Sequence, residues 1–92
     1  MAVTLTYGKG EAVTTATTCQ LLTIPANARQ VAMTAPAGID LYVVEDGTTA
    51  DGAAAPSEYF RIPAGTGYVY DLTGQRVLVA ASGVGVATLR AT

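Results

Sequence analysis

Apolar and polar residues alternate along most of this chain, most clearly between Tyr59 and Ala91. That stretch reads as an extended segment, a tight Ile62-Pro63-Ala64-Gly65 corner and three short strands, with the two-residue period of strands that bury one face. Tyr68, Tyr70 and Leu72 alternate with Val69 and Asp71. Across 75–81, Val77, Val79 and Ala81 oppose Arg76, Leu78 and Ala80, which predicts a central strand covered on much of both sides. After a Thr73-Gly74 turn before it and Ser82-Gly83 behind it, the last strand is expected over Val84 to Ala91. Val84 and Val86 are expected to join Val77 and Val79 in the core.

The first half carries the same period with less bulk. Val3, Leu5 and Tyr7 share one side of a strand over Ala2 to Tyr7, and Gly8-Lys9-Gly10 interrupts it. Glu11 to Thr18 is mostly Ala, Val and Thr, with β tendency but little to bury. Two roles are open for residues 1–18: an arm jointed at Gly8 and Gly10 that adds a strand to a neighbour's sheet, or an edge strand of the chain's own fold. Residues 19–92 form the β-sandwich domain proper. Cys19 to Ile24 predicts a strand closed by Pro25-Ala26-Asn27-Ala28. Arg29 to Ala35 resumes alternation with Val31, Met33 and Ala35 inward. Ile39, Leu41 and Val43 then share one face, and Asp40, Tyr42 and Val44 the other.

Glu45 to Pro56 is small and polar, which predicts a long surface loop, with a helical turn conceivable across Ala53 to Ala55 before Pro56 ends it. The corners Ile24-Pro25-Ala26-Asn27 and Ile62-Pro63-Ala64-Gly65 echo each other, and shared turn chemistry accounts for the echo. About eight short strands without a helical period predict an all-β fold. The expected form is an antiparallel β-sandwich, jelly-roll-like, or a small barrel.

Composition changes this picture in one respect. Hydrophobic residues make up 50% of the 92 and charged residues only 13%, against about 25% in an average soluble domain. A single domain of this length with so few charges is expected to have surface covered by partners. The bases Lys9, Arg29, Arg61, Arg76 and Arg90 are scattered, so no track for a phosphate backbone exists and no nucleic-acid partner is expected. No apolar run approaches the roughly 20 residues of a membrane span. The absence of a charged and apolar leader at the N-terminus predicts synthesis in the cytoplasm.

Candidate chemistry is sparse. The chain has one cysteine and no histidine, which removes histidine triads, the usual zinc sites and internal disulfides. Cys19, with no base nearby in sequence, reads as a small core side chain. Glu45, Asp46 and Asp51 could supply oxygens to calcium, but their spacing is not that of an EF-hand and solvated turn residues are expected. Asp40, Glu58 and Asp71 could face one another across strands, yet no spacing selects a glycosidase-like pair. Gly65, Gly67, Gly83 and Gly85 precede no helix and so predict turns rather than a phosphate loop. No catalytic residue, metal or cofactor is therefore expected. The aromatic residues are Tyr7, Tyr42, Tyr59, Phe60, Tyr68 and Tyr70, and tyrosines of this kind suit either a binding face or half-buried sandwich edges.

The order of these features resembles small tailed-bacteriophage virion proteins of the capsid decoration or cement type. The residues that carry the likeness are the Thr-rich first strand, the Ile-Pro corner, the Ile39-Asp40-Leu41-Tyr42-Val43-Val44 strand, the polar loop, Ile62-Pro63-Ala64-Gly65, Gln75-Arg76-Val77-Leu78-Val79-Ala80 and the strand from Val84 to Arg90. It is a likeness of pattern over most of 19–91, with no signature motif, and it transfers no site residue. It implies a non-enzymatic virion protein, made in the host cytoplasm, that forms a homo-oligomer such as a trimer and stabilises the head by binding the major capsid protein. Two other readings stand beside it: a tail, baseplate or head-to-tail joining component, and a carbohydrate-binding module stacking sugars on Tyr42, Tyr68 or Tyr70. The candidate partner-binding residues are Val3, Leu5, Tyr7, Tyr42, Tyr68 and Tyr70.

Overall fold

Residues 2–73 and 76–92 are described by the computed structural model, and all regular structure among them is β. The strands are β1 (Val3–Thr4), β2 (Gly10–Thr14), β3 (Gln20–Thr23), β4 (Gln30–Thr34), β5 (Leu41–Val44), β6 (Phe60–Ile62), β7 (Gly67–Asp71), β8 (Leu78–Ala81) and β9 (Val86–Ala91). Gly74 and Gln75, expected to end a turn and begin a strand, lie outside the described residues. The strands form two sheets, ordered β1-β3-β8-β5-β6 and β2-β9-β4-β7. Every strand pairing is antiparallel except β1 with β3.

Without β1, eight strands divide equally between the sheets, and the chain changes sheet at every connection except β5 to β6. This is the topology of a jelly roll. Each sheet keeps two edges, so the fold is a sandwich rather than a closed barrel. The two Ile-Pro corners perform the same step, each carrying the chain from the first sheet to the second. In each, an amide three residues on donates to the proline carbonyl: Ala28 to Pro25 at 3.0 Å and Thr66 to Pro63 at 3.1 Å. Gly65 takes a φ of 71° in the second corner, a region that disfavours side chains with a Cβ.

The main core lies between the sheets, built on Leu22, Val31, Met33, Leu41, Val43, Ile62, Val77, Val79 and Leu89. Val31, Met33 and Ala35 point inward as their alternation predicts. All four residues of β8 are buried, because its other face packs into a second, smaller cluster of Cys19, Val44, Leu78 and Ala80. The central strand is therefore covered on both sides, as expected.

Residues 2–18 supply an edge strand to each sheet. β1 joins β3, and the Leu5 amide donates to Thr23 O at 2.9 Å, which places Leu5 in the core. The chain then crosses over, and β2 pairs with β9 along its whole length.

The last strand corrects one expectation. Val84 and Val86 are exposed, at 73% and 60%, whereas Ala87, Leu89 and Ala91 are buried. The phase is fixed because β9 is held on both sides, with Leu89 opposite Glu11 on β2 and Met33 on β4. A one-residue slip would reverse every side chain. Thr15 and Gly85 hold the entrance to this strand. The Thr15 hydroxyl donates to Gly83 O and accepts from the Gly85 amide, both at 2.9 Å, while the Thr15 amide donates to Gly85 O. A Cβ on Gly85 would stand 2.7 Å from Ile39 Cδ1 and 3.2 Å from Pro36 Cβ, so a side chain there would have to displace both neighbours.

Thr15→Val keeps the shape but takes the hydroxyl from the part-buried Gly85 amide and Gly83 carbonyl, and is expected to cost about 1–3 kcal/mol of stability. Urea denaturation checks this, with Thr15→Ser expected to stay near the parent.

Candidate functional site

Strand register assembles the most distinctive surface. In the β5–β6 hairpin, Leu41 faces Ile62 and Val43 faces Phe60, which puts Phe60 on the core side of an edge strand. In the second sheet, Val31 faces Tyr70 and Met33 faces Tyr68, so both tyrosines also lie on the core side, at the other sheet's edge. The two edges face each other, and Phe60 meets both rings across the seam, with centroids 4.6 Å from Tyr68 and 5.9 Å from Tyr70. The rings are tilted by 45° and 57°, within the family of inclined contacts that aromatic quadrupoles favour. Tyr59, one residue before Phe60, projects to the opposite face, where its ring lies 4.3 Å from that of Tyr42. The aromatic band therefore wraps around the edge, with Tyr59, Phe60 and Tyr68 all exposed.

Polar contacts pin the band at two points. The Tyr70 hydroxyl donates to Glu45 Oε1 at 2.6 Å, and Thr73 donates to Glu45 Oε2 at 2.7 Å, tying the edge of the second sheet to the end of β5. Burial, and then the hydrogen bond and charge of Glu45, push the Tyr70 pKa up to about 12. On the other side, Arg61 Nε donates to Asp40 Oδ2 and the Ala64 amide to Asp40 Oδ1, both at 2.9 Å. Arg61 first and Ala64 second hold the Asp40 carboxyl below its usual range. Asp40 thus joins the β6 edge to the corner that follows it, while its own amide donates to Ser82 Oγ.

The 45–56 loop is fastened over the outer face of the first sheet. The Cys19 amide donates to Ala53 O at 2.8 Å, the Gly52 amide to Cys19 O at 2.7 Å, and Arg76 Nη1 to Thr49 O at 2.8 Å. The helical turn considered for Ala53 to Ala55 does not form, because Ala54 bridges antiparallel to Thr18 and this strip of backbone is extended against the sheet. Asp46 accepts from the Thr48 and Thr49 amides and the Thr49 hydroxyl, and these bonds, that hydroxyl first, hold its pKa at about 2. Asp51 accepts from the Leu21 amide at 2.8 Å. Glu45, Asp46 and Asp51 thus each accept from different partners, and among the described residues no group of three or more His, Cys, Asp or Glu could hold a metal ion. Beneath the loop Cys19 is fully buried, and burial first, with Asp46 and Asp51 adding to it, pushes its thiol pKa up.

The residues singled out from the sequence fall in three places. Val3 is half-buried and lines an apolar groove of about 490 Å³ between β1 and β2, on the side of the sandwich away from the aromatics. Leu5 is in the core and offers no surface, and Tyr7 is exposed beside Ala91. Tyr42 belongs to the outer cluster, whereas Tyr68 and Tyr70 line the seam, so these three do not share a face. Phe60 and Tyr59 connect them, and Val69, on the outer face of β7, adds a further exposed apolar side chain. Compared with known proteins, the chain matches no family model, no curated protein and no solved structure.

The folded protein keeps the Tyr70 proton to higher pH than the unfolded chain, so this contact's stabilisation is complete below the ordinary value of 10 and declines as pH rises from 10 to about 12. Absorbance titration of tyrosinate should show a late-ionising phenol that Tyr70→Phe removes. A thiol reagent should label Cys19 only as fast as the fold opens, since the thiolate is both buried and disfavoured.

Proposed function

We propose that this chain is a non-enzymatic structural protein of a phage virion, a head decoration or cement protein that associates with itself and binds the major capsid protein. The observation that carries this reading is the exposed aromatic band around the β6 and β7 edges, with Val69 beside it, on a chain poor in charge. Large, stiff side chains with an apolar body and polar tip are the usual currency of protein contact surfaces. The rings are tilted against one another and partly cover each other's faces, which suits an irregular protein surface better than the open, flat platform a sugar stacks on. Jelly rolls serve viral capsids, lectins and cupins alike, so the topology is compatible with the reading and the exposed aromatic band supports it.

The test is binding to heads assembled from the major capsid protein of the same virion without this chain. The protein is expected to co-sediment with them and raise the temperature at which they disrupt. Tyr59→Ser should weaken binding about tenfold, since an exposed aromatic anchor commonly contributes on the order of 1–2 kcal/mol. A protein that stays in the supernatant and binds glycans instead would sink the proposal.

A further inference from the structure

The four sheet edges are not equally protected against pairing. β1 has only two residues, and β6 has three, with Arg61 among them and Pro63 directly after. β2 carries Glu11, which pairs with Lys9 at 3.9 Å, at its exposed end. Short length, charge and proline are the ordinary means of keeping an edge from recruiting another strand. β7 is the least guarded: its one charge, Asp71, stands at its end within reach of Gln30, Gly67-Tyr68-Val69-Tyr70 is uncharged and free of proline, and Tyr68 and Val69 are 46% and 51% exposed on opposite faces.

The direction of its free backbone groups follows from the bonds at its two ends. The Leu72 amide donates to Arg29 O, and Thr66 O accepts from the Ala35 amide, both at 2.9 Å, so the even-numbered residues turn their N–H and C=O toward β4. The odd-numbered ones, Gly67, Val69 and Asp71, turn theirs outward, and no backbone partner meets them among the described residues.

We propose that a second copy of this chain pairs with β7, antiparallel about a twofold axis through Val69. In that register the outward groups of Gly67, Val69 and Asp71 meet those of the partner's Asp71, Val69 and Gly67, so every free donor finds an acceptor. Tyr68 stands opposite the partner's Tyr70, and Asp71 opposite the partner's Gly67, so aromatic pairs form and no like charges oppose. The near-palindrome Tyr68-Val69-Tyr70 favours a copy of itself over an unrelated strand, as an isologous twofold contact requires. Phe60 borders the same seam and extends the apolar surface onto the other sheet. The result is one continuous sheet running from β2 through both β7 strands to the partner's β2. This deepens the self-association in the proposed function, and since its test involves no capsid, the two readings fail separately.

A five-residue edge is smaller than the roughly 800 Å² per partner of a standard interface, so the dimer is expected to form in a concentration-dependent way. Sedimentation velocity of the purified protein should show monomer and dimer exchanging, and Val69→Lys should weaken the dimer roughly tenfold or more by opposing two cations. Its unfolding transition should stay near the parent's, because this side chain is exposed. Val69→Cys should cross-link under mild oxidation, since the two Cα atoms of such a bonded pair lie about 5.5 Å apart, within disulfide range. Buried Cys19 should give no cross-link in the parent protein. A monomer at every concentration, a closed trimer, a dimer that Val69→Lys leaves intact, or one that cross-links through Tyr68→Cys and not Val69→Cys would each overturn the proposal.

Discussion

The strand β8 must be covered on both faces, and most of the fold follows from that requirement. Val79 and Ala81 face the second sheet, while Leu78 and Ala80 face outward, where water would otherwise meet a row of apolar side chains. The main core satisfies the first face. The second is covered by Leu21 and Tyr42 and by the 45–56 loop, which lies down over it and brings Ala55 against the cluster of Cys19, Val44, Leu78 and Ala80. The loop stays down through backbone bonds to Cys19 and through Asp51 on the Leu21 amide. What composition marks as a free surface loop is therefore part of the packing, and its small residues are those that can lie close to a sheet.

How much of this could be read from the sequence depended on whether one strand or several set the outcome. Where a strand's own alternation decides, as in Val31, Met33 and Ala35 or in Leu41 and Val43, the faces follow directly. β9 differs because Val84 and Val86 are bulkier than Ala87 and Ala91, so side-chain size alone puts the valines inside. Register with β2 and β4 on both sides, together with the contact of Gly85 on Ile39 and Pro36, decides the opposite. The aromatic band lies further still from local reading. Phe60 and Tyr68 become neighbours only because β6 and β7 end up as edges of facing sheets, and strand order carries no local signal. The tyrosines were legible as interface-type residues, but which of them share a surface was not.

With so few charges, several of the polar groups that remain tie connections between strands to elements they meet in the fold. Asp40 ties the β6 edge and its corner to the start of β5, Glu45 ties the end of β5 to β7, and Thr15 ties the exit of β2 to the entry of β9. Asp40 and Thr15 replace solvent at crossings where backbone groups leave one ladder before joining the next, whereas Glu45 joins the two sheets through the Tyr70 and Thr73 hydroxyls. The sheets need little help of this kind, since the ladders satisfy their own backbone.

That division also bears on the proposed function. The interior is occupied by packing, the sheet crossings by polar ties, and the loop by its cover over β8. What is left for a partner is the outer surface and the edges, and among the described residues exposed aromatics meet a weakly guarded backbone edge at β7, beside Phe60 of β6. On the proposed reading, a side chain substituted there would change recognition with little change in stability, because Tyr59, Tyr68 and Val69 each remain substantially in water. A substitution at Thr15 or Gly85 does the reverse. The same surface that makes β7 a candidate for pairing also makes it a hazard, since an edge with a single terminal charge accepts strands indiscriminately unless side-chain pattern selects among them. The near-symmetry of Tyr68-Val69-Tyr70 supplies such a selection, and once two copies have paired, the edges left open are the short or charged ones.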